Sequence, residues 1–393
     1  MRQQYESYKP SDIDWIGDIP SHWKLPRVKQ FVKINNGSDP KTEGNIPVYG
    51  SGSYSFKTCG EFKLGPTVLL GRKGATLHIP HWIEGKYWNV DTAFDTNMIG
   101  DLNLRLFFYF SMLFNYEKYK SETTLPSMTQ TDYGNMYIPL PPLAEHEAIA
   151  AWLDKKCGEI DAAIAKVDRE IELIDELKRS EISRVVTRGL NPDAPLRSSG
   201  IDWIGDIPEH WTKCRFKNFM YLKTTPSYSQ VKIGLENLES GSSKFIESDT
   251  EFDGNGVEFC QNDILYGKLR PYLRKVWLAE FNGNAVGDFF VFGNCSNSAA
   301  SYLKYLLLSD GFTKQADGST FGAKMPRVSS EFILTLPFYL PPLPEQQEIA
   351  DYLDKKCAEI DGLKAKLTKK RETLKELRQS IISEVVTGKH KIT

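Results

Sequence analysis

The chain has 393 residues, 40% hydrophobic and 25% charged, the balance of a soluble globular protein with room for two or three domains. No stretch approaches the ~18 apolar residues that span a bilayer. The polar opening MRQQYESYKPSD lacks the apolar core of a secretory signal, so a cytoplasmic protein is expected. The net charge of −2 denies the chain a global basic footprint, and any nucleic-acid contact has to come from local runs.

The first motif in chain order is Ser11-Asp-Ile-Asp-Trp-Ile-Gly-Asp-Ile-Pro-Ser-His-Trp23. Behind it, Asn45–Ser51 predicts a strand and turn, and Thr67–Leu70 a second strand. Leu69-Leu-Gly-Arg-Lys-Gly-Ala-Thr76 then forms a basic, glycine-containing run. Gly71 lets the backbone approach a ligand closely. Arg72 and Lys73 offer donors to phosphates, an arginine can pair bidentately with guanine, and Thr76 adds a hydroxyl. A solvated basic turn would carry the same residues. The spacing does not fit a phosphate loop. His78 and His81 flank a proline and share no helical face, so no metal site is expected there. Asp39 with Glu61-Phe-Lys63 has the residue types of a nuclease set, but such triplets arise by chance, as Glu176-Leu-Lys178 does. A helix is predicted over Leu104–Lys120. The polar segment Thr123–Gln130 suits phosphate or base-edge contacts, or a plain connecting loop.

Prolines 139, 141 and 142 end this unit, and a long helix follows with Glu145 and Glu147 in its first turn. Ile160, Ile164, Val167, Ile171 and Ile174 recur at steps of four and three, a heptad seam with charge on the other faces. The helix is expected to stop near Val185-Val-Thr-Arg-Gly189, capped by the glycine.

The pattern then repeats. Ser199-Gly-Ile-Asp-Trp-Ile-Gly-Asp-Ile-Pro-Glu-His-Trp211 restates the first motif, and LPPLPEQQEIADYLDKKCAEID from Leu340 restates LPPLAEHEAIAAWLDKKCGEID from Leu140. The ends of the two modules match; the middles differ in sequence and length. In the second middle, strands are predicted at Asp263–Tyr266 and Phe289–Phe292 and a helix at Ala299–Thr313. The basic run is Tyr266-Gly-Lys-Leu-Arg-Pro-Tyr-Leu-Arg-Lys275, with Lys268, Arg270, Arg274 and Lys275 as candidate DNA donors. The late polar segment Ser319–Ser329 adds Ser319, Thr320, Lys324 and Arg327. Ile360, Leu363, Leu367, Leu374, Leu377 and Ile381 trace the second seam, ending at Val385-Val-Thr-Gly388.

Each long helix is about 60 Å at 1.5 Å per residue. One apolar stripe on so long a helix needs a partner. A short linker separates the first helix from the second unit, so the second helix must run back along the first. The expectation is an α+β (mixed α/β) protein. Two globular units would be joined by two long antiparallel helices forming a coiled-coil spacer, as a pseudo-twofold internal repeat. Two separate intermolecular coiled coils are the alternative. The boundaries read as 1–143, a helix over 144–189, a linker over 190–198, a second unit over 199–343 and a helix over 344–388. The six cysteines form no C-x-x-C pair and read as buried thiols rather than metal ligands. There is no dinucleotide fingerprint, nucleophile elbow or amino-methyltransferase tetrapeptide, so catalysis by this chain is not expected.

Taken together, IDWIGDIPxHW, IPVYGSG, LLGRKGAT, DILYGKLRPYL and the helix start PLPEQQEIADYLDKK resemble the specificity subunits of type I restriction–modification systems. The first copy departs at Ala144 and His146. The resemblance implies that each globular unit is a target-recognition domain for one half of a split, asymmetric double-stranded DNA site. It implies helices that set the spacing and dock two adenine-N6 methyltransferase subunits, with restriction/translocase subunits joining the complex in host defence. S-adenosylmethionine, ATP and Mg²⁺ would belong to those partners, and the chain itself would carry no catalytic residue, cofactor or metal. A catalytic fusion and a purely structural adaptor are the competing classes.

Overall fold

The computed structural model describes residues 3–52, 54–121, 125–227, 229–248, 250, 252–322 and 324–392. Of the late polar segment of the first unit, Thr123 and Thr124 lie outside the described residues. The chain divides into two compact units, Met1–Val167 with Lys370–Thr393, and Asp168–Lys369. The divisions fall inside the two long helices, Leu143–Arg188 and Leu343–Val386, so each helix contributes one part to each unit.

Both units are built on one plan. The central sheet of the first has four antiparallel strands in the order Val32–Asn36, Ala93–Met98, Thr67–Gly71, His81–Ile83. That of the second runs Met220–Lys223, Phe289–Asn294, Ile264–Gly267, Val276–Leu278, the same order in chain sequence. Thr67–Gly71 and Ile264–Gly267 are buried throughout, which is why they read as apolar runs rather than alternating ones. A second sheet accompanies each, of four strands in the first unit and three in the second. Ile46–Tyr49 pairs parallel with Lys86–Asn89 in the first unit, as Lys232–Ile233 does with Gly283–Ala285 in the second.

Each predicted unit helix is in fact two. The first unit has Leu104–Ser111 and Tyr116–Tyr119, the second Ala300–Leu308 and Asp310–Gly318. The breaks sit at short polar residues that accept from the following backbone: Asn115 from the Lys118 amide and Ser309 from the Phe312 amide. Such side chains compete with the helix for its own hydrogen bonds and favour caps over interiors.

The two motifs that match between modules lock onto each other. Trp23 is buried, and its Nε1 donates to Glu145 at 3.3 Å, while His22 Nε2 lies 2.8 Å from the same carboxylate. In the second unit Trp211 Nε1 donates to Glu345 at 3.1 Å, with His210 Nε2 at 2.7 Å. The acidic residue expected merely to favour the helix dipole is thus the keystone between the opening motif and the helix start. The departure at His146 keeps its role. His146 Nε2 meets the Pro141 carbonyl at 2.7 Å, where Gln346 Nε2 donates to that of Pro341 at 2.8 Å. About two turns on, Tyr109 donates to Asp154 at 2.6 Å and Tyr305 to Asp354 at 2.5 Å.

Within each unit the two long helices run antiparallel. In the first, Ile149, Leu153 and Cys157 share a core with Ile382, Val385 and Val386, and Asp161 pairs with Arg378 at 2.8 Å. In the second, Ile349, Leu353 and Cys357 share a core with Ile182, Val185 and Val186. There Lys178 pairs with Asp361 and Asp175 with Lys364, both at 2.7 Å. Of the seam read from the sequence, Ile160, Val167 and Ile360 are buried. Ile164, Ile171, Ile174, Leu367, Leu374 and Ile381 are half-buried. Leu363 and Leu377 are a correction: at 52% and 44% exposure they face solvent. Their C-terminal neighbours Lys364 and Arg378, which lie outside the seam read from the sequence, make cross-helix ion pairs. A helix of 3.6 residues per turn drifts against a strict heptad, so the contact face has moved off the leucines at those points. The glycines end the helices as expected, Gly189 at φ 70° and Gly388 at φ 73°, both left-handed.

Candidate nucleic-acid interface

Three segments that lie far apart in each module are brought together by one backbone ladder. In the first unit the strand Thr67–Gly71 leads into the basic run. The Arg72 amide donates to the Thr92 carbonyl at 2.8 Å, the Met128 amide to the Arg72 carbonyl at 2.9 Å, and the Gly74 amide to the Pro126 carbonyl at 3.0 Å. In the second unit the Lys268 amide donates to the Asp288 carbonyl at 2.9 Å, the Val328 amide to the Lys268 carbonyl at 3.1 Å, and the Arg270 amide to the Pro326 carbonyl at 2.8 Å. Each late loop is closed by a reciprocal pair, Ser121 with Ser127 and Phe321 with Arg327. In both units, then, the basic run and the late polar segment are one structure. In the first unit the Asn45–Ser51 segment joins them, since Thr76 Oγ1 donates to the Ser51 carbonyl at 2.9 Å.

The glycine that opens each run has a steric reason. A Cβ on Gly71 would stand 2.3 Å from the Leu77 Cα, so the turn closes only around glycine. Tyr133, from the short helix Gln130–Asn135, donates to the Gly71 carbonyl at 2.6 Å. Gly71 is buried, and shapes the turn rather than presenting a surface.

The side chains divide by what holds them. Arg72 lies over the Phe94 ring at 5.7 Å and Lys268 over Phe290 at 5.8 Å, corresponding positions of the two sheets. Arg72 also donates to the Asp91 carbonyl at 3.2 Å. Exposed Lys73 stands 3.7 Å from the Asp91 carboxylate. Arg327 grips Asp288 through Nε at 3.2 Å and Nη2 at 3.0 Å, and this pairing lowers the Asp288 pKa below the ordinary carboxylate value. Lys268 adds a contact to Asp288 at 3.6 Å. Arg270 and Lys324 are exposed.

Four expected donors serve the fold instead. Arg274 turns inward to Asp310 at 2.5 Å, and Lys275 donates to the Leu235 and Leu238 carbonyls at 2.6 and 3.0 Å. Ser319 and Thr320 bond back to the Ala316 and Asp317 carbonyls at 2.9 and 2.8 Å, closing the helix Asp310–Gly318. An alternation of basic residues along a turn does not reveal which ones the turn folds beneath itself. Sequence reasoning also passed over the apolar members of these runs. Tyr272, Phe321 and Met325 are exposed beside the basic residues. The signal was there: aromatic residues next to glycine or proline inside a basic turn have no core to enter.

The residues set aside as chance triplets are not assembled. Glu61 accepts from the Lys41 amide at 2.6 Å and the Thr42 hydroxyl at 2.7 Å, whereas Lys63 pairs with Asp95 and Asn89. Among the described residues no group of three or more His, Cys, Asp and Glu is placed to hold a metal ion, and no helix is long and apolar enough to cross a membrane.

Known proteins carry the same organisation. The family model for the type I restriction modification DNA specificity domain matches the chain twice, over residues 20–173 and 209–371. The EcoDI type I restriction enzyme specificity subunit of Escherichia coli is 22% identical over 95% of this chain and 89% of its own length. The MjaVIII type I restriction enzyme specificity subunit of Methanocaldococcus jannaschii is 25% identical over 92% of this chain and 83% of its own. Among solved structures, a chain from work on complex assembly and conformational transition of the type I R-M system superposes with a TM-score of 0.63 at 14% identity. It covers 94% of this chain and 98% of its own, a likeness of fold.

Proposed function

This chain belongs to the family of type I restriction–modification DNA specificity domains and has its DNA-recognition role, and on that footing we propose how its two units share the work. Each ladder-built basic turn, with its late loop, enters a groove of double-stranded DNA and reads one half of a bipartite site. The observation that carries this reading is the ladder itself. The same three hydrogen bonds join the same three segments in both units, while the side chains mounted on them differ. A shared frame with different side chains is what two readers of different sequences require, so the target is asymmetric.

Lys73, Arg270 and Lys324 are the outward donors, and Arg72, Lys268, Thr76 and Arg327 line the base of the turn. Phosphate contacts fix register, and base-edge contacts specify. The long helices set the spacing between half-sites and dock two adenine-N6 methyltransferase subunits, with restriction/translocase subunits joining that complex in the cytoplasm. Methyl transfer and cleavage, with S-adenosylmethionine, ATP and Mg²⁺, belong to those partners.

Mapping methylated adenines in the host genome gives both half-sites and their spacing at once. A bipartite, non-palindromic motif that vanishes when this chain is deleted is expected. A methylation pattern indifferent to the deletion overturns the reading. In the assembled complex, Arg72→Ala should weaken DNA binding; a base contact costs ~1–3 kcal/mol and relaxes one target position. Binding that ignores both salt and sequence would favour a structural adaptor instead.

A further inference from the structure

The turn Arg270–Arg274 of the second unit is held in an unusual backbone state at both ends. Arg270 has φ 51° and Arg274 φ 49°, the left-handed region that side-chain-bearing residues avoid. Between them Pro271–Leu273 makes a single tight turn. Arg274 has a local reason for its strain, the ion pair with Asp310. Arg270 has none: it is exposed, and its guanidinium has no hydrogen bond, ion pair or ring contact among the described residues.

The first unit supplies the comparison. Gly74 stands where Arg270 stands, its amide donating to Pro126 as that of Arg270 donates to Pro326. Gly74 also has a positive φ, 107°. The frame therefore asks for a left-handed residue here, and glycine is the unstrained answer. The second unit carries an arginine instead, with no intrachain contact to offset the strain. Strain kept without a structural return points to function.

The foot of the turn is rigid. The Leu273 amide donates to the Arg270 carbonyl at 2.9 Å, the Arg274 amide to the Pro271 carbonyl at 2.9 Å, and the Gly241 amide to the Leu273 carbonyl at 3.0 Å. Lys275 is tied to two carbonyls below. Tyr272, 51% exposed, stands beside Arg270 at the tip. The fixed backbone sets where the Arg270 side chain leaves the turn, and its planar guanidinium fork matches the bidentate pairing that guanine O6 and N7 offer in the major groove. We propose that Arg270 reads a guanine in the half-site of the second unit, and that the first unit, with Gly74 at this place, has no reader there. This rests on the DNA-reading role proposed above and names the base it contacts.

The test uses the full chain in its native host complex, with three variants: Arg270→Gly, Arg270→Lys and, on the adjoining loop, Lys324→Glu. Genome-wide methylation mapping and binding to duplexes carrying the mapped site, each base pair varied in turn, are the readouts. Arg270→Gly should lose about tenfold or more of its discrimination at one G·C pair in one half-site, leaving the other half-site unaffected. Its Tm should be unchanged or higher, since the strain is relieved. Arg270→Lys should keep only part of that discrimination, because an ammonium can reach guanine O6 and N7 but lacks the planar fork. A half-site without a G·C pair overturns the proposal. So does a uniform loss across all sequences that lysine restores, the mark of a phosphate contact. If Arg270→Gly changes nothing while Lys324→Glu weakens binding, the guanine contact falls and the interface stands. If neither changes binding, both fall.

Discussion

The indole Nε1 of Trp211 donates to the carboxylate of Glu345 at 3.1 Å, joining the opening motif of the second unit to the first turn of its long helix. Trp23 and Glu145 repeat the bond in the first unit. A hydrogen bond to a charged acceptor is worth about 1.5–3 kcal/mol. Glu345→Ala leaves the buried Trp211 donor without its partner, and should destabilise the chain by about that amount in urea unfolding. Trp211→Phe with Glu345→Ala should cost less than the separate effects combined, because both remove the same bond. Additive effects would mean that the two residues act independently.

A second expectation concerns acid. Burial would raise the Asp361 pKa, but Lys178 and Lys244, at 2.7 and 3.0 Å, outweigh it and hold the group below its ordinary 3.8. A carboxylate depressed in the folded state contributes stability that is present above its unfolded value. That stability is lost as pH falls through the folded one. Asp361→Asn should lower stability at pH 7 and flatten the acid limb of the stability–pH curve below pH 4. An acid limb identical to that of the parent would show that the two lysines do not stabilise the ionised form.

Gly71 offers a steric test. Any Cβ there meets Leu77 backbone at 2.3 Å, and backbone, unlike a side-chain tip, cannot swing aside. Gly71→Ala should cost about 1–3 kcal/mol, the range for overpacking, and should weaken DNA binding although Gly71 presents no surface. Wild-type stability and binding would show that the turn can open without consequence.

The helix pair can be tested by register. In the second unit Asp175–Lys364 and Lys178–Asp361 lie one turn apart along the seam. Four residues inserted after Glu176, roughly one turn, would allow one pair to form but not both. Adenine methylation of the original site in the host should be lost or moved to a differently spaced site. Unchanged methylation would count against the helices as the spacer.

Much of this protein is written locally. The duplication, the long helices and their glycine ends follow from repeats and periodicity, and the strand at Ile46–Tyr49 falls where the pattern puts it. The antiparallel course of the helices follows from connectivity. Local pattern suffices for the helices, their ends and the strand because each depends on neighbours within a few turns of chain, while the duplication and the helix direction follow from comparing and connecting such segments.

What only the tertiary structure decided is which residues of a recognised segment are presented. Arg270 and Arg274 share a turn and a positive φ, yet one faces outward and the other is held by Asp310. Glu145 and Glu345 look like helix-dipole residues, and their bonds to Trp23 and Trp211 span most of each unit. Lys364 and Arg378 look like outer-face charges, and they cross the seam. In each case the partner comes from a distant part of the chain. Periodicity records how a residue sits on its own element; it carries no information about the element packed against it.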